Sequence, residues 1–314
     1  MSENLTNMPN VELKFRGLIA PVFTPYNNDN SQTINLSIIT QYAEYLAKKG
    51  INGVLVGGTS GEGTSLSLTE RKLISEEWAK AVKKTKQHLM IQIGGAPLPD
   101  VLELAKHAES LKVDSLLCLP ELYFKPSSVE NLINYMEIVS NAAPKTPLLY
   151  YHIPMFTNVN IHMGNFLEII GEKVPTFCGI KFTSSNLDEG AQALKANNGR
   201  FAIFLGNDQL ISAACSMGMD SFIVTTLNIF PEFSLKILES WKNNDFKTAQ
   251  KTQEKLSKAV HLISKHGNWV ETMKFAMNYL SPLNMGNARS PLKRLSQESE
   301  MSMKFDLLNF EESL

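Results

Sequence analysis

The sequence has little of what marks secreted or membrane proteins. Its three cysteines, Cys118, Cys178 and Cys215, lie far apart and match no spacing of a zinc or redox motif. No apolar run approaches the ~20 residues that a membrane-spanning helix needs. Residues 1–10 are polar and lack the apolar core of a signal peptide. We therefore expect a protein of the reducing cytoplasm, with no membrane partner.

An excess of charge of either sign is also missing. Thirty basic and 31 acidic side chains leave a formal net charge of −1, whereas nucleic-acid-binding surfaces are usually rich in Lys and Arg. Hydrophobic residues make up 43% of the chain and charged residues 19%, which is typical of a globular protein able to bury a large core. The composition predicts a globular protein with no nucleic-acid partner.

Short apolar segments alternate with amphipathic segments through most of the chain. The apolar segments predict strands at residues 17–22, 53–57, 90–93, 115–119, 147–151, 176–181, 201–205 and 221–224. The amphipathic segments predict helices at residues 36–48, 69–84, 100–111, 128–141, 163–170, 187–195 and 209–217. Several strands are apolar on both faces, as in a parallel sheet. Eight such units favour a closed (β/α)₈ TIM barrel, of the α/β class, over an open sheet.

The pattern changes after the eighth predicted strand. Residues 231–241, 246–264 and 268–280 predict three consecutive helices with no strand between them. We expect a single domain over residues 1–314, in which a barrel (about residues 17–226) carries C-terminal helices (about residues 231–295) packed on it. The residues from Ser296 onward are polar, and we expect them to be loosely held.

Two residues at neighbouring strand ends could carry chemistry, since the reactive groups of a βα barrel stand at the C-terminal ends of its strands. Lys181 ends the sixth predicted strand after an apolar run. It either reaches water there or is desolvated, which favours a neutral, nucleophilic amine. Tyr151 ends the fifth predicted strand, where it is either a core residue or a group that exchanges a proton with a neighbouring amine.

A glycine-rich turn follows the second predicted strand. Residues 57–61 could direct backbone N–H groups and the hydroxyls of Thr59 and Ser60 at a carboxylate, or could be only a tight turn before a helix. The spacing fits neither a dinucleotide fingerprint nor a phosphate loop. Asp208, after the seventh strand, faces the barrel mouth or caps the next helix. Five scattered histidines show no metal-ligand spacing and are expected at the surface: His88, His107, His162, His261 and His266.

Together these strand ends resemble the N-acetylneuraminate lyase and dihydrodipicolinate synthase family. The resemblance covers about residues 17–291 and rests on four stretches: Gly17-Leu18-Ile19-Ala20-Pro21 with Thr24-Pro25, Gly58-Thr59-Ser60-Gly61-Glu62, Tyr151-His152-Ile153-Pro154, and Gly179-Ile180-Lys181 with Thr183. It implies a class I aldolase that acts on pyruvate and a sugar acid such as sialic acid. It also implies that no metal or organic cofactor is needed and that the protein is a homo-oligomer, commonly a tetramer.

The resemblance implies roles for single residues as well. Lys181 matches the Schiff-base lysine, Tyr151 the proton-relay tyrosine, and Thr59 with Ser60 the pair that holds the pyruvate carboxylate. Further residues match positions that contact the sugar, or a tyrosine that some members donate across a subunit interface: Thr183, Gly206, Asp208, Gln209 and Thr225 for the sugar, and Tyr123 for the interface.

Within the family, the sequence most resembles the sialic acid lyases of animals. Dihydrodipicolinate synthases carry an arginine shortly after the motif that matches 151–154, whereas residues 155–158 here include no cation. Two positions depart from the lyases, because Gln209 replaces a glutamate and residues 224–226 replace Gly-Ser-Thr. The substrate is therefore N-acetylneuraminate or another 2-keto-3-deoxy sugar acid, and a barrel that binds a metabolite without catalysis is a third interpretation.

Overall fold

A computed structural model describes residues 11–171 and 173–312. Eight parallel strands pair in chain order, and the first strand closes on the last. The predicted TIM barrel is confirmed, and every predicted strand overlaps an observed one. The strands are β1 Leu18–Pro21, β2 Gly53–Val56, β3 His88–Gln92, β4 Ser115–Cys118, β5 Leu148–His152, β6 Phe177–Phe182, β7 Ala202–Leu205 and β8 Ser221–Ile223. The polar segment 1–10, predicted to lack a signal peptide, lies outside the described residues.

Helices connect the strands and cover the outside of the barrel. They are α1 Ile39–Lys48, α2 Leu68–Thr85, α3 Leu98–Ser110, α4 Val129–Ala142, α5 Pro154–Thr157, α6 Met163–Ile170, α7 Leu187–Gly199 and α8 Ile211–Ser216. The regular part of α7 ends where predicted, because Ala196, Asn197 and Asn198 leave helical geometry. In the described part of the chain, no helix is long and apolar enough to cross a membrane.

Alternating side chains of the strands fill two separate apolar cores. One lies inside the barrel and includes Leu55, Met90 and Tyr151, while the other lies between the barrel and its helices and includes Tyr150. Successive residues of a strand point to opposite faces. Tyr150 therefore packs against the outer helices, and of the two tyrosines only Tyr151 points into the barrel.

Four helices follow the barrel: α9 Pro231–Lys242, α10 Phe246–Ser264, α11 Trp269–Leu280 and α12 Gln297–Glu312. The first three were predicted and are confirmed. The expectation that residues from Ser296 onward are loosely held is wrong for the described residues. The side chains of Met303, Leu307 and Phe310 are at most 2% exposed. Their spacing places three apolar side chains on one face of a mostly polar helix. The average polarity of the segment does not reveal such a face.

Candidate active site

Lys181 and Tyr151 face each other across paired strands at the mouth of the barrel. The two residues are register partners of β6 and β5. Lys181 is only 4% exposed, and its Nζ donates a hydrogen bond of 2.9 Å to the Tyr151 Oη. Among the described residues, no carboxylate forms an ion pair with this lysine. The amine is thus buried and held against a phenol, which places a nucleophile beside a group that can exchange a proton with it.

The glycine turn, residues 57–63, brings two hydroxyls to the same place. The Thr59 Oγ1 lies 3.0 Å from the Tyr151 Oη, and the Ser60 Oγ lies 2.9 Å from the Thr225 Oγ1. The turn folds back so tightly that a Cβ at Gly63 would overlap the carbonyl oxygen of Gly57. This close approach of backbone to backbone explains why the sequence needs glycine there.

Gly206 keeps space for its neighbours at the end of β7. A Cβ at this position would overlap the Thr183 Oγ1 and lie 3.1 Å from the Lys181 Cε. The Thr183 Oγ1 is buried, and it has no hydrogen-bond partner among the described residues. Because buried polar groups are nearly always paired, this hydroxyl is available to a bound molecule.

Asp208 does not cap the helix that follows it. Its buried carboxylate accepts a hydrogen bond of 2.8 Å from the backbone N–H of Thr226, and burial raises its pKa above the usual range. Asn207 caps the short 3-10 turn Asp208–Leu210 that precedes α8, and its Oδ1 accepts from the backbone N–H of Gln209 at 3.1 Å. Asp208 therefore links the loops that follow β7 and β8, and Gln209 is left exposed at the pocket mouth.

One pocket of about 380 Å³ joins these groups. All of the predicted site residues except Tyr123 line it: Thr59, Ser60, Tyr151, Lys181, Thr183, Gly206, Asp208, Gln209 and Thr225. Tyr123 lies outside the pocket, 84% exposed, with its ring at a right angle to that of Phe124. The structure thus brings nine of the ten predicted residues together within a single chain.

Trp269 is a pocket residue that sequence reasoning missed. It is the first residue of α11, and its Nε1 donates a hydrogen bond of 3.3 Å to the Thr225 Oγ1. Trp269 and Thr225 are 44 residues apart along the chain. No local pattern marks a tryptophan at the start of an outer helix as part of the site, so only the fold reveals it.

Several histidines are more buried than the sequence analysis predicted. His152 is buried on the outer face of β5, where its ring stacks on Phe182 and burial lowers its pKa to about 4. The expectation of surface positions is wrong for His88, which hydrogen-bonds to Ser115, and for His266, which pairs with Asp306. Among residues 11–171 and 173–312, no group of three or more His, Cys, Asp or Glu side chains could hold a metal ion.

Known proteins share this fold and sequence over nearly their full length. Residues 14–309 match the Dihydrodipicolinate synthetase family. The N-acetylneuraminate lyase of Pongo abelii is 34% identical over 304 residues, covering 95% of this chain and 94% of that protein. The N-acetylneuraminate lyases of Proteus mirabilis and Aliivibrio salmonicida each give a TM-score of 0.89 at 30% identity. Both alignments cover 94% of this chain, with 98% of the Proteus and 97% of the Aliivibrio protein.

Proposed function

This chain belongs to the dihydrodipicolinate synthetase family, and from that premise we propose that it is a Schiff-base lyase that cleaves N-acetylneuraminate reversibly to N-acetylmannosamine and pyruvate. The observation that carries the proposal is the buried hydrogen bond of 2.9 Å between Lys181 and Tyr151 at the barrel mouth. The relatives named N-acetylneuraminate lyase support the choice of substrate.

The chemistry begins at Lys181. Its neutral amine attacks the C2 ketone of the open-chain sugar acid, and loss of water gives a protonated imine. In that step Tyr151 gives a proton to the departing hydroxyl, and the deprotonated Tyr151 then takes the proton of the C4 hydroxyl. The C3–C4 electron pair then flows to the imine nitrogen, which leaves an enamine and releases the aldehyde. Protonation of the enamine at C3 and hydrolysis return pyruvate and the free lysine.

The other pocket residues fit the two ends of this substrate. The hydroxyls of Thr59 and Ser60 lie in the glycine turn, beside the lysine and the tyrosine, where they would hold the carboxylate next to the C2 atom. Thr183, Asp208 and Gln209 line another part of the same pocket. These side chains would meet the hydroxyls of the sugar, and the unpaired Thr183 Oγ1 is free to do so.

A second candidate function is the cleavage of another 2-keto-3-deoxy sugar acid. Gln209 offers an amide at the exposed pocket mouth instead of a carboxylate. The hydroxyl of Thr225 is occupied by contacts with Ser60 and Trp269. Both observations favour a sugar acid that makes fewer polar contacts at its far end, and they leave the pyruvate chemistry unchanged.

We further propose a cytoplasmic homotetramer built from one domain per chain, with the barrel at about residues 17–226 and the C-terminal helices packed on it. Tyr123 and Phe124 are 84% and 83% exposed and contact each other, and adjacent exposed aromatic side chains are typical of interaction surfaces. Such an interface would place Tyr123 beside a neighbouring pocket. The cysteines Cys118, Cys178 and Cys215 are free thiols, as expected in a reducing compartment.

Trapping of the imine tests the function. The protein is incubated with pyruvate and borohydride, digested, and analysed by mass spectrometry, with Lys181→Ala as the matched control. We expect one pyruvate-derived mass on the peptide that contains Lys181. A second assay measures pyruvate released from N-acetylneuraminate. Label on a different lysine, or an unlabelled protein, would contradict the proposed chemistry, while trapping without release of pyruvate would favour the second substrate.

A further inference from the structure

A chain of three hydrogen-bonding groups runs from the C-terminal helices into the pocket. The Trp269 Nε1 lies 3.3 Å from the Thr225 Oγ1, which lies 2.9 Å from the Ser60 Oγ. Ser60 and Thr225 are 3% and 6% exposed. All three residues line the pocket that holds Lys181. These two hydrogen bonds therefore connect α11 to the glycine turn through the loop after β8.

The indole favours one direction of these hydrogen bonds, because it occupies one of the two lone pairs of the Thr225 oxygen. An indole N–H can only donate, so the Thr225 Oγ1 is the acceptor in its contact with Trp269. A hydroxyl carries one hydrogen, and Thr225 can direct its own toward the Ser60 Oγ. Ser60 then accepts from Thr225, and its hydrogen remains available to the pocket. In the reverse arrangement Ser60 would donate to Thr225 and turn its lone pairs toward a bound anion, which repels it.

We propose that Trp269 is a positioning residue that orients the Ser60 hydroxyl, through Thr225, as a hydrogen-bond donor to the carboxylate of a 2-keto acid. The inference rests on the proposed function, because it takes that carboxylate to lie at the glycine turn. Without the indole N–H, both lone pairs of the Thr225 oxygen are open. Ser60 would then donate to Thr225 more often and to the substrate less often.

The two hydroxyls of the glycine turn are thus oriented from different sides. Thr59 is next to Tyr151, which accepts from Lys181, and these contacts change when Lys181 becomes an imine. Ser60 is reached from Trp269, which takes no part in the covalent steps. The carboxylate therefore keeps one correctly oriented donor throughout the reaction, independently of the state of the lysine.

The matched pair of variants is Trp269→Phe and Trp241→Phe. Each removes an indole N–H that donates to a side-chain hydroxyl, because the Trp241 Nε1 donates to the Ser212 Oγ at 3.0 Å, outside the pocket. A neutral hydrogen bond contributes enough to change affinity roughly three- to tenfold. We expect Trp269→Phe to raise the half-saturating pyruvate concentration for imine trapping by about this factor, and Trp241→Phe to leave it unchanged.

A double-mutant cycle with Ser60→Ala separates positioning from a loss of packing. If Trp269 acts through Ser60, Trp269→Phe changes pyruvate saturation in the natural background and has no further effect once Ser60 is alanine. Unchanged saturation in Trp269→Phe, or an equal loss in both backgrounds, overturns the inference while imine trapping by the natural protein still upholds the proposed function. Absence of trapping in the natural protein overturns both.

Discussion

Glu62 and Lys274 form an ion pair of 2.7 Å in which both side chains are at most 1% exposed. Glu62 lies in the glycine turn with a left-handed backbone (φ 54°), and its second carboxylate oxygen accepts from the backbone N–H of Arg289 at 2.7 Å. Lys274 lies on α11 and also donates to the Asn287 carbonyl oxygen. The turn that carries Thr59 and Ser60 is therefore fixed to the helices that follow the barrel.

Removal of the lysine leaves a buried carboxylate without its charged partner. We expect Lys274→Met to lower the free energy of unfolding by about 3–5 kcal/mol, the range for breaking a buried ion pair. The measurement is urea unfolding followed by circular dichroism. The double variant Glu62→Gln/Lys274→Met should recover part of this loss, because it no longer buries an uncompensated charge.

The exposed pair Lys236–Glu239 provides the control. Its nitrogen–oxygen distance is 3.1 Å, and the side chains are 53% and 61% exposed. Exposed ion pairs contribute about 0–1 kcal/mol, so Lys236→Met should change unfolding by no more than that. Equal losses in Lys274→Met and Lys236→Met would show that the buried pair does not hold the turn in place.

Tyr151 and its neighbour Tyr150 allow a clean test of proton relay. The Tyr151 Oη contacts both Lys181 and Thr59, whereas Tyr150 faces the outer core. We expect Tyr151→Phe to lower kcat by roughly 10²–10⁴, the range for a general acid–base group, with little change in the urea midpoint. Tyr150→Phe, the control, should retain kcat. A near-normal kcat in Tyr151→Phe would assign Tyr151 to packing alone.

The sequence predicts the site residues at strand ends better than the site residues that lie on helices distant in sequence. Lys181 and Tyr151 could be found because parallel strands of a barrel deliver their ends to one face, so that each position follows from the local pattern. Trp269 could not, since its contact with Thr225 depends on how α11 packs across the barrel mouth. For the same reason, the pairing of Glu62 with Lys274, 212 residues away, follows only from the tertiary structure.

The helix α12 shows a second limit of the pattern. Its sequence is mostly polar, so that three buried side chains (Met303, Leu307 and Phe310) do not stand out from their surroundings. The partners of Phe310 include the rings of Phe230 and Phe233, which a reading of residues 297–312 alone cannot supply. Tertiary packing, more than local propensity, stabilises a helix of this kind.

His152 should make the fold sensitive to acid. Burial, aided by His162, lowers its pKa to about 4 in the folded protein, while a histidine in an unfolded chain titrates near 6.5. Between these pH values the unfolded chain binds more protons, so the free energy of unfolding falls as the pH decreases from about 6.5 to about 4. His152 should therefore lower the free energy of unfolding of the natural protein by on the order of 1–3 kcal/mol across this pH window. In His152→Asn we expect this contribution to be absent.

The measurement is urea unfolding at several pH values, and the slope against pH matters more than the absolute stability. His261→Asn is the control, because His261 is exposed on α10 and should leave the slope unchanged. A slope in His152→Asn as steep as in the natural protein would mean that other groups, such as the half-buried His88, account for the acid sensitivity.

We expect Gln209 to influence how tightly the pocket binds the far end of the sugar. It lies exposed at the pocket mouth, next to the buried Asp208. Compared with the glutamate that it replaces, a glutamine has one acceptor oxygen and no charge. A hydrogen bond to a charged group contributes about 1.5–3 kcal/mol and a neutral one about 0.5–1.5. The difference, on the order of 1 kcal/mol, corresponds to several-fold in affinity. We therefore expect measurable cleavage of N-acetylneuraminate, with a KM higher than that of an enzyme with glutamate at position 209.

Gln209→Glu should lower KM for N-acetylneuraminate several-fold and leave kcat nearly unchanged, because the added contact binds substrate and transition state alike. Asn207→Asp is the control for added charge, since it places a carboxylate two residues away on the same loop, and it should not reproduce the gain. The measurement is kcat and KM with the full substrate and with one that lacks the glycerol tail. If the natural protein cleaves the shortened substrate better and Gln209→Glu brings no gain with the full one, the pocket is built for a shorter sugar acid.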